Sequence, residues 1–225
     1  MKLYMHKVST ASRPVLLFCA ENKVDLENVV VDILTGEHYK EPFSKINPSR
    51  QVPVLEDGDL ILTESSAILK YLADKINSPT YPKGLAERAK VNELMDWFNT
   101  GFYRDYGYHL VYPQVFPNHV REPEDSNKVT VEWGKTKMET WLAVLNDHWL
   151  GPDKKYLGGA QITIADYFGS SIVTCGELIG ETLSKHPNAK RWVGNMKALP
   201  SWGAVYEVFD GFVGSLKDKT FQKIA

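Results

Sequence analysis

The chain has 225 residues, of which 43% are hydrophobic and 24% charged, and its formal net charge at pH 7 is −2. This composition is typical of a soluble globular protein with one large or two small domains. The balance of 26 Lys and Arg against 28 Asp and Glu argues against a nucleic-acid partner. The apolar stretch near the N-terminus, residues 15–20, is far shorter than the roughly 20 residues of a membrane helix. We therefore expect neither nucleic-acid nor membrane binding.

Two cysteines, Cys19 and Cys175, are the only thiols in the chain. Their spacing fits neither a zinc site nor a disulfide framework, so we expect no bound metal. Sparse, unpaired cysteines are typical of reducing compartments, which predicts a cytoplasmic protein.

The first part of the chain, residues 1–78, alternates strand-like and helix-like segments. Residues 2–6 alternate in polarity, as in a strand. Ser12 is a suitable helix N-cap, followed by Pro14 in the first turn of the helix. Residues 29–33 are rich in valine and isoleucine, which predicts a buried strand.

A hairpin and two helical segments complete this part. Residues 37–45 are polar and suit an irregular helix, and residues 65–75 carry the apolar stripe of a regular one. Between them, Asp57 and Gly58 form a turn signal flanked by strand-like segments at 52–55 and 60–62. The predicted order is βαβαββα.

The second part, residues 87–225, is predicted to be all-helical. Residues 77–84 contain two prolines and a glycine and form the natural linker, and residues 113–127, with three prolines, are predicted to be a loop. The helix-like segments are 85–102, 129–149, 163–178, 187–199 and 200–209. Within the third, Thr163 and Asp166 have the spacing of a capping box, which we interpret as a folding device without a catalytic role.

Candidate chemistry begins where the first strand meets the first helix. Ser9 and Ser12 place hydroxyls near a helix N-terminus, where free N–H groups and the dipole stabilise negative charge. No catalytic-triad motif accompanies Ser9, so we interpret it as a hydrogen-bond donor rather than a nucleophile. The alternative is simple capping by Ser12, with Ser9 as a loop residue.

Two further features also lie where a strand begins or ends. Pro53 after Val52 marks a strand edge or bend, and a cis bond there would expose the Val52 backbone to a peptide-like ligand. Glu64 and Ser65 lie between a strand and a helix, where an acceptor and a donor together suit the head group of an amino acid. The alternatives are an ordinary strand-entry proline and an ordinary helix cap.

Together, these features resemble the glutathione transferase family, and its theta- and delta-like members in particular. The resemblance rests on the order and spacing of several short segments and spans the whole chain, most strongly its first 80 residues. The matching segments are residues 9–13, 36–38, 46–48, 51–55, 62–69 and the capping box at 163–166.

The resemblance implies a thioredoxin-like N-terminal domain, an all-α C-terminal domain, a homodimer, and glutathione as co-substrate. Ser9 would be the hydroxyl that holds the glutathione thiolate. The implied glutathione-binding residues are His38 and Gln51 near the glycyl carboxylate, with Arg50 as a further candidate, Val52 at the cysteinyl unit, and Glu64 and Ser65 at the γ-glutamyl end. Arg13 would support the Ser9 loop.

The partner that glutathione attacks is expected to be a small hydrophobic electrophile. Residues 102–109 are unusually aromatic and are candidates for an apolar pocket in which Arg104 steers an anion; the alternative is aromatic packing at a helix end. Two other functions stay open: a non-catalytic glutathione-transferase-like binding protein, and another glutathione-dependent activity such as dehalogenation or peroxide reduction.

Overall fold

Within residues 1–224, which the computed structural model describes, four strands form one mixed sheet in the order β2-β1-β3-β4. The strands are β1 (Lys2–Met5), β2 (Glu27–Val30), β3 (Val54–Asp57) and β4 (Leu60–Leu62). β1 is parallel to β2 and antiparallel to β3. β3 and β4 form the predicted hairpin, in which Gly58 adopts a φ of 60° that suits a residue without a side chain.

Helices cover both faces of this sheet. In chain order they are α1 (Arg13–Glu21), a 3-10 turn (Glu37–Tyr39), α2 (Phe43–Ile46) and α3 (Ser65–Lys75). α1 packs against α3, and apolar side chains such as Leu17 and Leu69 are fully buried there. A smaller cluster that includes Phe43 and Val54 is buried separately. The observed order is the predicted βαβαββα.

The prediction of a buried strand at residues 29–33 is wrong in both bounds and burial. β2 ends at Val30, whose side chain is 58% exposed. In the described chain β2 lies at the edge of the sheet with β1 as its single neighbour, and three of its four residues are exposed. Val31, immediately after the strand, is buried.

The rest of the described chain is helical. Its α-helices are α4 (Leu85–Trp97), α5 (Tyr112–Val115), α6 (Glu124–Ala143), α7 (Ile164–Thr174), α8 (Pro187–Lys197) and α9 (Trp202–Ser215). Wider π-helical segments continue α4 and α6, at Phe98–Phe102, Arg104–Val111 and Val144–Leu150. Two 3-10 turns span Pro117–His119 and Cys175–Ile179.

The predicted loop at residues 113–127 is largely helical instead. Pro113 lies in the first turn of α5, Pro117 begins a 3-10 turn, and Pro123 immediately precedes α6. At the last two positions proline is tolerated because the first N–H groups of a helix have no intrahelical partner. Pro117 and Pro123 therefore mark helix starts, whereas Pro113 lies in a helical run that continues from the π segment Arg104–Val111 into α5.

α7 joins the two parts of the molecule. Every one of its residues is buried, and it packs against α1, α3, α4 and α8. Another close contact lies between α6 and the π segment Arg104–Val111, where a Cβ at Gly134 would meet the His109 backbone at 2.8 Å. Among residues 1–224, no helix combines the length and apolarity that crossing a bilayer requires.

Candidate active site

A cavity of about 930 Å³ lies between the loops at one end of the sheet and the helical segment at residues 99–119. It brings together all the predicted site residues: Ser9, His38, Arg50, Gln51, Val52, Glu64 and Ser65. Arg104 also lines it, whereas Arg13, Cys19 and Cys175 do not. One half of the cavity is therefore built from the sheet part and the other from the helical part.

Ser9 lies in the tight turn between β1 and α1. Its amide donates to the carbonyl of His6 at 3.0 Å, and its Oγ accepts a hydrogen bond from the amide of Ser12 at 3.2 Å. The side chain is half-buried, and its O–H donates to no group among residues 1–224. The hydroxyl proton is thus available to an acceptor in the cavity.

Ser12 does not cap α1 as predicted. Its backbone is already helical, with φ −81° and ψ −38°, and its side chain makes no capping bond. The fully buried Oγ instead accepts a bond from the amide of His6 at 3.4 Å. Both serines therefore hold this turn, and Ser9 is the one that also lines the cavity.

Val52 and Pro53 are joined by a cis peptide bond just before β3. Both residues line the cavity. In the described part of the chain, neither the amide nor the carbonyl of Val52 has a hydrogen-bond partner. The neighbouring carbonyl of Gln51 accepts from the Asn47 side chain at 2.8 Å, which fixes this loop.

Glu64 and Ser65 lie where β4 gives way to α3. Glu64 has a φ of 64° and a ψ of 111°, an unusual conformation for a residue with a side chain. Strained backbone of this kind clusters at functional sites. Ser65 is the first residue of α3 and is buried at the cavity wall, where the helix N-terminus favours an anion.

The remaining predicted polar residues, His38, Arg50 and Gln51, also line the cavity. His38 is buried against Tyr39, with ring centroids 3.9 Å apart, and its Nδ1 has no partner among the described residues. Burial lowers the pKa of His38, so the ring is neutral at pH 7. Arg50 and Gln51 are exposed at the cavity rim.

Three tyrosines form the opposite wall. The π winding, with hydrogen bonds from residue i to i+5, places Tyr103, Tyr108 and Tyr112 on one stripe. Their ring centroids are 5.2–6.1 Å apart. The predicted aromatic segment ended at residue 109 and missed Tyr112, Phe116 and His119, which also line the cavity.

Arg104 lines the cavity but is held by its neighbour. Its Nε and Nη2 donate to both carboxylate oxygens of Asp105, at 2.9 and 3.1 Å. Asp105 also accepts from the indole of Trp141 at 2.8 Å. The guanidinium is therefore partly neutralised where it was expected to steer an anion.

Other reactive groups lie away from the cavity. Burial raises the pKa of both Cys19 and Cys175 to about 12, so neither thiol is a nucleophile at neutral pH. Among residues 1–224, no group of three or more His, Cys, Asp or Glu side chains is arranged to hold a metal ion.

Comparisons with known proteins agree with this architecture. Residues 1–74 match the family model "Glutathione S-transferase, N-terminal domain", and residues 114–200 match the corresponding C-terminal domain. The chain is 35% identical over 203 residues to human glutathione S-transferase theta-2B, covering 88% of this chain and 81% of that protein.

Solved structures show the same likeness. Human glutathione transferase theta-2 in complex with glutathione and an unknown ligand superposes with a TM-score of 0.85 at 31% identity, covering 98% of this chain and 92% of that one. A delta-class transferase from Nilaparvata lugens gives a TM-score of 0.77 at 28% identity, covering 97% and 99%.

The chain therefore belongs to the glutathione S-transferase family, with a thioredoxin-like N-terminal domain and a helical C-terminal domain. It is an enzyme of glutathione conjugation that uses glutathione as its co-substrate, and its relatives named here are of the theta and delta classes.

Proposed function

We propose that this enzyme transfers glutathione to small hydrophobic electrophiles by holding the thiolate against the hydroxyl of Ser9. The observation that carries the proposal is the free O–H of Ser9, open to a cavity that also contains Glu64 and Ser65. The aromatic stripe faces these residues from the helical part and suits an apolar electrophile.

The stabilisation that the Ser9 hydroxyl can provide is large enough to lower the pKa of the glutathione thiol. A free thiol has a pKa of about 8.5 and is mostly protonated at neutral pH. Lowering that pKa by about two units requires roughly 2.7 kcal/mol of preference for the anion. A hydrogen bond to a charged acceptor contributes about 1.5–3 kcal/mol, and the N-terminus of α1 about 0.3–1 kcal/mol more.

The rest of the tripeptide would lie along the sheet side of the cavity. The unpaired amide and carbonyl of Val52 suit the cysteinyl backbone, because an extended peptide pairs with free main-chain groups. Glu64 would hold the ammonium group of the γ-glutamyl end, and Ser65 its carboxylate. Gln51 and His38, with Arg50, would contact the glycyl carboxylate.

Glutathione binding tests this arrangement. We expect Glu64→Gln and Ser65→Ala each to weaken glutathione binding about tenfold or more, because each removes a hydrogen bond to a charged group. Ser66→Ala is the matched control, since Ser66 is next along α3 and does not line the cavity. Thermal-shift titration with glutathione measures all three affinities.

The same titration separates the alternatives. Unchanged affinity in both variants would contradict the placement of the γ-glutamyl end. A wild-type protein that binds no glutathione at millimolar concentration would favour the non-catalytic alternative. Where glutathione binds, a screen of aryl halides, epoxides and hydroperoxides distinguishes conjugation from dehalogenation or peroxide reduction as the main activity.

We also propose a homodimer. Several apolar side chains are exposed on β4, α4 and α6, and exposed apolar surface is typical of protein–protein interfaces. They include Leu60, Ile61, Leu85, Val129 and Trp133, of which Leu85 is 87% and Val129 70% exposed. Burying these side chains between two copies would stabilise the pair.

Trp133→Glu is expected to shift the dimer toward monomer, because a charged side chain replaces a large apolar one in the interface. Val208→Glu, at an exposed apolar position on α9, is the control and should leave the dimer intact. Sedimentation velocity at matched concentrations measures the change. A wild-type monomer, or a variant that dimerises as well as the wild type, would contradict the proposal.

We propose a cytoplasmic location because of the state of the two cysteines. Cys19 and Cys175 are both buried and unpaired, as in proteins of reducing compartments.

A further inference from the structure

Thr10, the residue after Ser9, also lines the cavity and is only 5% exposed. Its Oγ1 accepts a hydrogen bond from the hydroxyl of Tyr112 at 2.9 Å and another from Nη2 of Arg13 at 3.4 Å. A hydroxyl oxygen has two acceptor lone pairs and one O–H donor. Both acceptor sites are therefore occupied, and only the proton of Thr10 is left to make a further bond.

The proton of Thr10 donates to no group among residues 1–224. The hydroxyl of Tyr112 uses its proton to donate to Thr10. In the 2.7 Å hydrogen bond between Tyr103 and Tyr112, the donor is therefore Tyr103. The backbone of Thr10 is held as well, because Oγ of Ser171 donates to its carbonyl at 2.7 Å. A buried donor without an acceptor is costly, so this proton is suited to a ligand in the cavity.

The guanidinium of Arg13, which donates to Thr10, carries a positive charge that no carboxylate pairs with in the described structure. The Arg13 side chain is fully buried and lies over the Phe209 ring at 3.6 Å. Glu177, in the 3-10 turn after α7, pairs instead with Lys197 at 2.7 Å. A donor that itself accepts from a cation is more strongly polarised, and the field of that cation favours an anion nearby.

We propose that the Thr10 hydroxyl is a second hydrogen-bond donor to the glutathione sulfur, with Arg13 and Tyr112 as the positioning residues that direct it. The inference rests on the proposed function, since it requires the sulfur to lie at the turn that Ser9 and Thr10 share. It assigns the sulfur two hydroxyl donors from consecutive residues, one of them backed by a buried guanidinium.

A pH titration of the thiolate ultraviolet absorption of enzyme-bound glutathione tests this assignment. We expect Thr10→Val to raise the pKa of the bound thiol by about one unit, which is about tenfold less thiolate below the pKa. Thr10→Ser keeps the hydroxyl and should restore the wild-type value. Thr100→Val is the matched control, because Thr100 lines the same cavity but donates to the carbonyl of Asp96 at 2.7 Å.

Tyr112→Phe provides a second measurement that a purely structural role would not reproduce. It removes one donor to Thr10 and should raise the pKa of the bound thiol by a smaller amount. This effect should vanish when Thr10 is already valine, because the two changes act through one hydroxyl. If Thr10→Val does not fold, Thr10→Ala removes the same hydroxyl with a smaller side chain.

The outcomes for Ser9 and Thr10 are separable. A higher pKa in Ser9→Ala together with an unchanged pKa in Thr10→Val would overturn the role of Thr10 and leave that of Ser9 intact. The reverse would support Thr10 and overturn Ser9. If the two hydroxyls act together, the double variant should bind glutathione with a thiol pKa near that of free glutathione, about 8.5.

Discussion

Replacing Ser9 with alanine should lower the turnover of glutathione conjugation about 10- to 100-fold at neutral pH, with little change in glutathione affinity. In the proposed mechanism the removed hydrogen bond is made to the thiolate anion, and such a bond contributes about 1.5–3 kcal/mol. In the proposed arrangement Val52, Glu64 and Ser65 hold most of the tripeptide, so the ground-state complex should survive. Loss of an interaction that favours only the reactive form lowers kcat rather than binding.

Steady-state kinetics with an aryl halide and a glutathione binding titration measure the two quantities separately. Ser9→Thr keeps a hydroxyl and should retain more activity than Ser9→Ala, whereas Ser66→Ala should behave as the wild type. Equal losses of turnover and affinity in Ser9→Ala would identify Ser9 as a binding residue only. Unchanged turnover would exclude it from the chemistry.

The second large effect concerns stability. Asp166 is fully buried at the start of α7, and its carboxylate accepts four hydrogen bonds. The donors are the amide of Leu157 at 2.8 Å, the amide and hydroxyl of Thr163 at 2.8 and 2.9 Å, and the indole of Trp192 at 2.9 Å. Burial raises the pKa of Asp166, while these four donors stabilise its charged form.

Asp166→Ala should lower the free energy of unfolding by about 3 kcal/mol or more, because each unsatisfied buried donor costs about 1–3 kcal/mol. Asp166→Asn should have a smaller effect, since one acceptor oxygen remains. Asp125→Ala is the matched control: Asp125 lies in the first turn of α6, but its side chain is 94% exposed. Its loss should change the free energy by no more than about 0.5 kcal/mol.

Equilibrium urea unfolding at one protein concentration compares the three variants. If Asp166→Ala were no less stable than Asp125→Ala, the four hydrogen bonds would not be holding α7 in place. Because α7 packs against both α1 and α3, we also expect Asp166→Ala to reduce the yield of folded enzyme rather than its intrinsic turnover.

Local signals predicted the parts of the fold that local interactions determine. The turn at Gly58, the helix beginning at Ser65 and the box of Thr163 and Asp166 all follow from residues a few positions apart. The burial of β2 does not, because it depends on where the strand lies in the sheet. Edge position is a property of the assembled fold, and the valine-rich composition of residues 29–33 indicated the opposite.

Local sequence signals likewise predicted some residues of the cavity and not others. Ser9, Glu64 and the bond between Val52 and Pro53 lie at junctions of strands with helices or loops, which the sequence marks. The tyrosine stripe was only partly visible, because Tyr103, Tyr108 and Tyr112 are five and four residues apart and align only on a π-helical winding. An α-helical period of 3.6 residues does not place Tyr103 and Tyr108 on one face.

The central claim, that the glutathione sulfur is held as an anion by Ser9, is tested most directly by the pKa of the enzyme-bound thiol. Titration of the bound glutathione in wild-type enzyme should give a value about two units below that of the free thiol, and Ser9→Ala should raise that value by about one unit. An identical pKa in the wild type and in Ser9→Ala, with glutathione bound in both, would contradict the account.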